Sequence, residues 1–345
     1  MKKLENIKVG ISVGDINGIG IEIILKTFDD NRMLELCTPI IFGSNKTVST
    51  HRKDLNLNTQ INGIENPSKA IPGKLNLINV WKDAPEISFG KETQDGGKYA
   101  FLSLKAAVNA LKRGDIDVLV TAPINKHNIQ SDNFKFNGHT EFLESSLEGK
   151  SLMILMNEDL KVGLITGHIP IQHVANTITK ELIEEKVDLM YQSLIKDFGI
   201  DRPKIAVLGL NPHCGDNGVI GAEDTEIVKP ALKIMQDQGK LVYGPYAADS
   251  FFGSGTYKGF DGVMAMYHDQ GLAPFKTLAF GGGVNFTAGL NKIRTSPDHG
   301  TAYEIAGKGK ADHNSFKQAV YTAIDIYRNR SRYEKLIENK LEIST

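Results

Sequence analysis

The chain alternates short, almost wholly apolar runs with longer stretches in which apolar residues recur at helical spacing. The short runs are "KVGISVG" (8–14), "PIIFG" (39–43), "DVLVTA" (117–122), "LMILM" (152–156), "KVGLITG" (161–167), "KIAVLGL" (204–210) and "GVMAMY" (262–267). Each has strand length and is bounded by glycine, proline or polar residues. Between them, "KYAFLSLKAAVNALKRG" (98–114) and "KELIEEKVDLMYQSLIKDFG" (180–199) read as amphipathic helices. Strands that are apolar nearly throughout must be covered on both faces. The pattern therefore predicts an α/β fold, with mainly parallel sheets under helices.

No linker rich in Pro, Gly or Ser divides the chain. The polar stretch 123–138 and the glycines at 281–283 are the expected crossings between two lobes. They give a discontinuous first lobe (1–128 plus 282–330), a second lobe (129–281), and a charged terminal helix or tail (331–345).

Composition narrows the partners. Lys and Arg number 40 against 41 Asp and Glu, so no charge excess points to nucleic acid or an anionic membrane. Any acidic ligand must be held by local groups. No segment reads as a signal peptide or a membrane span, and two cysteines suit a cytoplasmic protein.

Three histidines occupy one kind of place. His168, His213 and His268 each lie just beyond the end of an apolar run, and the C-terminal edge of an open α/β sheet is where ligands bind. If their strands are neighbours, three imidazoles with an open fourth position make a catalytic metal site. A lone histidine after a strand is more often a loop residue, and no local H-x-x-x-H spacing supports the metal reading. Asp269 adjoins His268, and Asp249 sits in "GPYAADSFFG". Either suits a further ligand, a partner orienting a histidine, or a proton relay; Asp249 equally suits a helix cap.

A second group is positive. Lys276, Asn285 and Arg294 fall in a glycine-rich run with few other charges, as expected where a phosphate or carboxylate is gripped. "NGHTEFL" (137–143) places His139 and Thr140 at a helix start, where free N–H groups favour an anion, although capping alone would account for Thr140. "GDINGIGIE" (14–22) follows a strand as dinucleotide loops do, but its G-x-x-x-G-x-G spacing makes a weak fingerprint.

Together these stretches resemble the 4-hydroxythreonine-4-phosphate dehydrogenase family from about residue 8 to about residue 330. The resemblance rests on "GDxxGIGxE" from Gly14, "VTAPINK" from Val120, "GHTEF" from Gly138, "TGHIP" from Thr166, "NPHCGDNG" from Asn211, "YHDQGLAPFK" from Tyr267 and "RTSPDHGTA" from Arg294. It implies a fold similar to isocitrate and isopropylmalate dehydrogenases, with the active site in the inter-lobe cleft of a homodimer that shares its sites. It makes His168, His213 and His268 ligands of a divalent metal, zinc favoured and magnesium, manganese or cobalt as alternatives. It makes His139, Thr140, Lys276, Asn285 and Arg294 contacts of a small phosphorylated amino-acid substrate. Relatives of that fold hold a nicotinamide cofactor with a segment like "HGTAYEIAGKG", which points to His299, Gly300, Ala302 and Glu304. The carboxylate of Glu304 suits a ribose hydroxyl, hence NAD over NADP.

The implied reaction is NAD-dependent oxidation of a secondary alcohol in pyridoxal phosphate biosynthesis, with Asp249, Asp269 and Lys276 as candidate catalytic bases. The sequence departs from the family pattern at Ile16, Ile21, Cys214, Asp216 and Asn217. Those departures leave room for another hydroxy acid or a dihydrodiol as substrate. Three histidines and a water also suit a zinc hydrolase, a more distant alternative that the cofactor-like segment opposes. Cys214, beside His213, is expected to be packing.

Overall fold

The structure, a computed structural model, describes residues 6–279 and 281–338. The described residues contain twelve strands: β1 (Lys8–Ser12), β2 (Thr38–Gly43), β3 (Ile61–Ile64), β4 (Leu75–Asn79), β5 (Val118–Thr121), β6 (Gly149–Met156), β7 (Lys161–Leu164), β8 (Lys204–Leu208), β9 (Leu241–Tyr246), β10 (Gly262–Ala265), β11 (Val284–Leu290) and β12 (Ile293–Pro297). The chain forms two compact units. One runs to residue 149 and resumes over 290–327; the other covers 150–289 and resumes from residue 328.

In the first unit the strand order is β3-β4-β2-β1-β5-β12, parallel throughout. β2, β5 and β12 are buried at every position, which is why their sequences show no alternation. The helix Gln94–Arg113 illustrates how the covering layer is specified. The Thr93 hydroxyl accepts from the Gly96 amide at 3.0 Å, Gly114 ends the helix in the left-handed region at φ 75°, and Leu104, Ala107, Val108 and Leu111 are buried on one face. The buried leucines and valine each contribute about 1.5–3 kcal/mol.

In the second unit the order is β11-β6-β7-β10-β8-β9. β6 runs antiparallel to β7, whereas β7, β10, β8 and β9 run parallel to one another. The helix Lys180–Lys196 begins at Thr179, whose hydroxyl accepts from the Leu182 amide at 3.1 Å, and buries Ile183, Val187, Met190 and Leu194. The aliphatic positions of both helices recur at helical spacing.

Five strands go beyond those read from the apolar runs. β3, β4, β9, β11 and β12 carry asparagine, glycine, proline or arginine inside the element. The charged stretch from residue 331 forms, as far as residue 337, the last turns of the helix Asn314–Ile337. Residues 339–345 of that tail lie outside the described residues. No helix among the described residues is long and apolar enough to cross a membrane.

Candidate active site

The three histidine-bearing strands are neighbours. β10 lies between β7 and β8, parallel to both, so His268, His168 and His213 all follow the C-terminal ends of adjacent strands. His168 and His268 come together with ring centroids 5.4 Å apart. His268 is the first residue of the helix His268–Leu278, and its Nδ1 lies 2.7 Å from Asp269 Oδ1. That contact leaves Nε2 as the nitrogen available to a ligand, the way a carboxylate orients a metal-binding histidine.

His213 is held differently. Residues His213, Cys214, Gly215, Asp216 and Asn217 are all left-handed, with φ of 53°, 53°, 79°, 43° and 55°. For the four that are not glycine this costs on the order of 1 kcal/mol each, a strain that persists only where the surroundings fix it. Asp224, fully buried, anchors the base of the turn by accepting from the Leu210 amide at 2.7 Å and the Asn211 amide at 2.9 Å. Burial first, then the charges of Asp224 and Asp249, push the Cys214 thiol up against the opposing Lys229, so it stays protonated and packs.

Asp249 therefore lies near the turn, as the second residue of the helix Ala248–Gly253 rather than as its cap, which is Ala247. Among the described residues no three His, Cys, Asp or Glu side chains stand close enough together to hold a metal ion. The chemistry of the donors fits a metal at His168 and His268, and this conformation does not bring His213 to them. Lys276 is exposed in the last turn of its helix, and Asn285, on β11, has its Oδ1 enclosed without a hydrogen-bond partner.

The first unit contains a second site. Arg294, on β12 and 2% exposed, donates from Nε and Nη2 to the Thr121 hydroxyl at the end of neighbouring β5, at 3.0 and 2.7 Å. Burial pushes the guanidinium pKa down, and the charge of Glu141 works against that shift. His139 opens the helix His139–Ser146 after Gly138, and its Nε2 is enclosed without a partner. Burial, then the charges of Arg294 and Lys126, hold its pKa well below the ordinary range, so the ring is neutral. Thr140 is the second residue of this helix, not its cap. A buried guanidinium, a neutral imidazole with an unpartnered Nε2 and a helix N-terminus together suit an anionic group.

The "GDINGIG" loop is not a phosphate cradle. The Asp15 amide donates to Pro123 O at 2.9 Å, the Asn17 amide to Asp15 Oδ1 at 2.8 Å, the Gly18 amide to Asp15 O at 3.1 Å and the Ile19 amide to Thr301 O at 3.1 Å. These four N–H groups are thus occupied by the protein itself. The cofactor-like segment lies against it: His299 Nδ1 donates to Gly300 O at 3.1 Å while Nε2 is enclosed and unpartnered, Ala302 is left-handed at φ 46°, and Glu304 is exposed. Sequence reading missed Asp15, Asn17, Thr93, Asn128 and Tyr303, which join this loop to its neighbours. The motif from Gly14 was the one available signal.

Known proteins resemble this chain over most of its length. The family model described as "Pyridoxal phosphate biosynthetic protein PdxA" matches residues 35–323. A 4-hydroxythreonine-4-phosphate dehydrogenase of Bacteroides thetaiotaomicron is 54% identical over 337 residues, covering 97% of this chain and 93% of the relative. A putative D-threonate 4-phosphate dehydrogenase of Oceanobacillus iheyensis is 35% identical, covering 92% and 97%. The crystal structure of 4-hydroxythreonine-4-phosphate dehydrogenase from Klebsiella pneumoniae superposes with a TM-score of 0.81 at 33% identity, covering 94% of this chain and 99% of that one.

Proposed function

The chain belongs to the family of the pyridoxal phosphate biosynthetic protein PdxA, and from that premise we propose that it oxidises 4-phosphohydroxy-L-threonine with NAD. The secondary alcohol loses a hydride to the cofactor and a proton to a base. The resulting 2-amino-3-oxo acid phosphate loses carbon dioxide to give 3-amino-2-oxopropyl phosphate. The observation that carries the reading is the enclosed Arg294–His139 site, whose buried guanidinium and unpartnered imidazole Nε2 suit an anionic substrate.

Arg294, His139 and Thr140 take the anionic end of the substrate, and Lys276 and Asn285 are its further contacts. A neutral His139 accepts or donates a hydrogen bond without adding charge, so Arg294 remains the electrostatic anchor. His168, His213 and His268 are the residues that would hold a divalent metal, which when bound supplies Lewis-acid polarisation of the substrate oxygen while the nicotinamide supplies the hydride acceptor. Zinc suits an imidazole set; magnesium, manganese and cobalt are the alternatives. Asp269 holds His268 in one orientation. That engagement leaves Asp249 and Lys276 as the better placed candidates for taking the substrate proton.

His299, Gly300, Ala302 and Glu304 bind the cofactor, with the exposed Glu304 carboxylate on a ribose hydroxyl selecting NAD over NADP. The enzyme works as a homodimer with shared sites. Ile171 and Val219, which flank His168 and His213 in sequence, are 71% and 82% exposed, as side chains awaiting a partner surface would be. NADH formation from purified protein, with substrate variants and with chelation, tests the assignment. No turnover by metal-loaded protein that binds NAD would overturn it.

A further inference from the structure

The "GDINGIG" loop, weak as a nucleotide fingerprint, encloses a carboxylate that the reaction does not use. Asp15 is fully buried and accepts three hydrogen bonds: from its near neighbour, the Asn17 amide, at 2.8 Å, from Asn128 Nδ2 at 2.7 Å and from the Tyr303 hydroxyl at 2.7 Å. Asn17 extends the network. Its Nδ2 donates to the Thr93 hydroxyl at 2.8 Å, its Oδ1 accepts from the Ser88 amide at 2.8 Å, and its carbonyl accepts from the Gly90 amide at 2.9 Å. Four segments distant in sequence thus meet around one carboxylate: 14–19, 88–96, 123–128 and 301–303.

The last of these is the segment read as holding the cofactor. It is gripped on both sides of Ala302, which sits at φ 46°, a left-handed conformation that costs an alanine on the order of 1 kcal/mol. On one side the Thr301 carbonyl accepts from the Ile19 amide at 3.1 Å; on the other the Tyr303 hydroxyl is bound to Asp15. The loops press close enough that side chains are excluded. A Cβ at Gly18 would lie 2.9 Å from Thr301 O, and one at Gly90 would lie 2.6 Å from Tyr303 O. Burial, reinforced by Asp15, raises the Tyr303 hydroxyl above its ordinary range, so it remains a donor. Residues held in sparse backbone regions persist only where neighbouring structure over-determines them, and they concentrate at ligand sites.

We propose that Asp15 and Tyr303 are a positioning pair: through the Tyr303 hydroxyl, buried Asp15 fixes residues 299–304 in the conformation that receives the dinucleotide. The proposal rests on the reading of that segment as the cofactor contact. Neither residue touches the reacting atoms. Their effect falls on cofactor binding, because the segment that they hold ends at Glu304 and begins at His299, whose Nε2 is enclosed without a partner.

The test is NAD affinity of the full-length protein by titration calorimetry, with steady-state kinetics and thermal melts alongside, for Tyr303→Phe, Asp15→Asn and Glu304→Gln. Tyr303→Phe removes one hydroxyl and is expected to weaken NAD about tenfold, the worth of one hydrogen bond to a carboxylate. The KM of the alcohol substrate, and kcat at saturating NAD, are expected to stay within about twofold. Adding Ala302→Gly is expected to recover most of the affinity, since glycine adopts the left-handed conformation without steric cost. A purely structural pair would not show that rescue.

Tyr303→Phe with wild-type NAD affinity overturns the proposal. If Glu304→Gln is weakened in the same series, the cofactor reading survives; if it too is unchanged, both fall. Equal losses in NAD and substrate binding together with a lowered melting temperature also overturn the pair, by reducing it to fold stability. Asp15→Asn is expected to follow Tyr303→Phe, and should it fail to fold, the tyrosine variant decides alone.

Discussion

Replacing Arg294 by methionine separates what this residue does for the substrate from what it does for the fold. The side chain is 2% exposed, held by two donor contacts to Thr121, and within reach of the Glu141 charge. A charge-assisted contact to a phosphate or carboxylate is worth up to about 3 kcal/mol, which at about 1.36 kcal/mol per decade is roughly a 150-fold loss in kcat/KM. Methionine keeps the volume but leaves Glu141 without the cation that its charge favours. Breaking an enclosed pair from one side destabilises by about 3 kcal/mol or more. The single variant should therefore lose both activity and stability.

Adding Glu141→Gln removes the uncompensated charge. The double variant is expected to regain most of the stability while kcat/KM stays at the level of the single variant. Denaturant melts and NADH-coupled kinetics on the four proteins of the cycle make the measurement. Full activity in Arg294→Met, or recovery of activity in the double variant, would refute the assignment of Arg294 as the anion anchor.

Three further outcomes follow from the structure. His51 is buried, its Nε2 lies 2.8 Å from the Ile16 carbonyl, and burial lowers its pKa from 6.5 to about 4. The unfolded chain thus binds a proton that the folded chain does not between those values, so stability falls as pH drops through that window, by up to about 3 kcal/mol; His51→Gln should flatten that part of the melting profile. Gly97→Ala would put a Cβ 1.9 Å from the Asn128 carbonyl, backbone against backbone, and should cost about 3 kcal/mol or more in a denaturant melt. Asp216→Gly relieves one left-handed residue at φ 43° on the exposed turn and should raise stability by up to about 1 kcal/mol, read as a higher denaturation midpoint.

The sequence was legible where physics acts locally. β5, β7, β8 and β10 are apolar because they are covered on both faces, so they stand out as runs; the histidines were found because each follows such a run. β12 was hidden because it buries an arginine, and β9 because Gly244 and Pro245 interrupt its pattern. The spacing that drew attention to "GDINGIG" reflects close packing rather than phosphate binding. Only the motif from Gly14 marked Asp15, and nothing joined Asn128 and Tyr303 to it, because their contacts with it span separations of 113 and 288 residues that no window along the chain can bridge. The left-handed run at His213 was equally invisible, since four of its five residues are not glycine.

The most direct test of the account is a paired assay: NADH production by metal-loaded protein from 4-phosphohydroxy-L-threonine and, separately, from D-threonate 4-phosphate, each before and after chelation. Turnover of the amino substrate is expected and should be abolished by chelation, with at least about tenfold lower kcat/KM for the threonate. Preference for the threonate, or no NADH from either by protein that binds NAD, would contradict it.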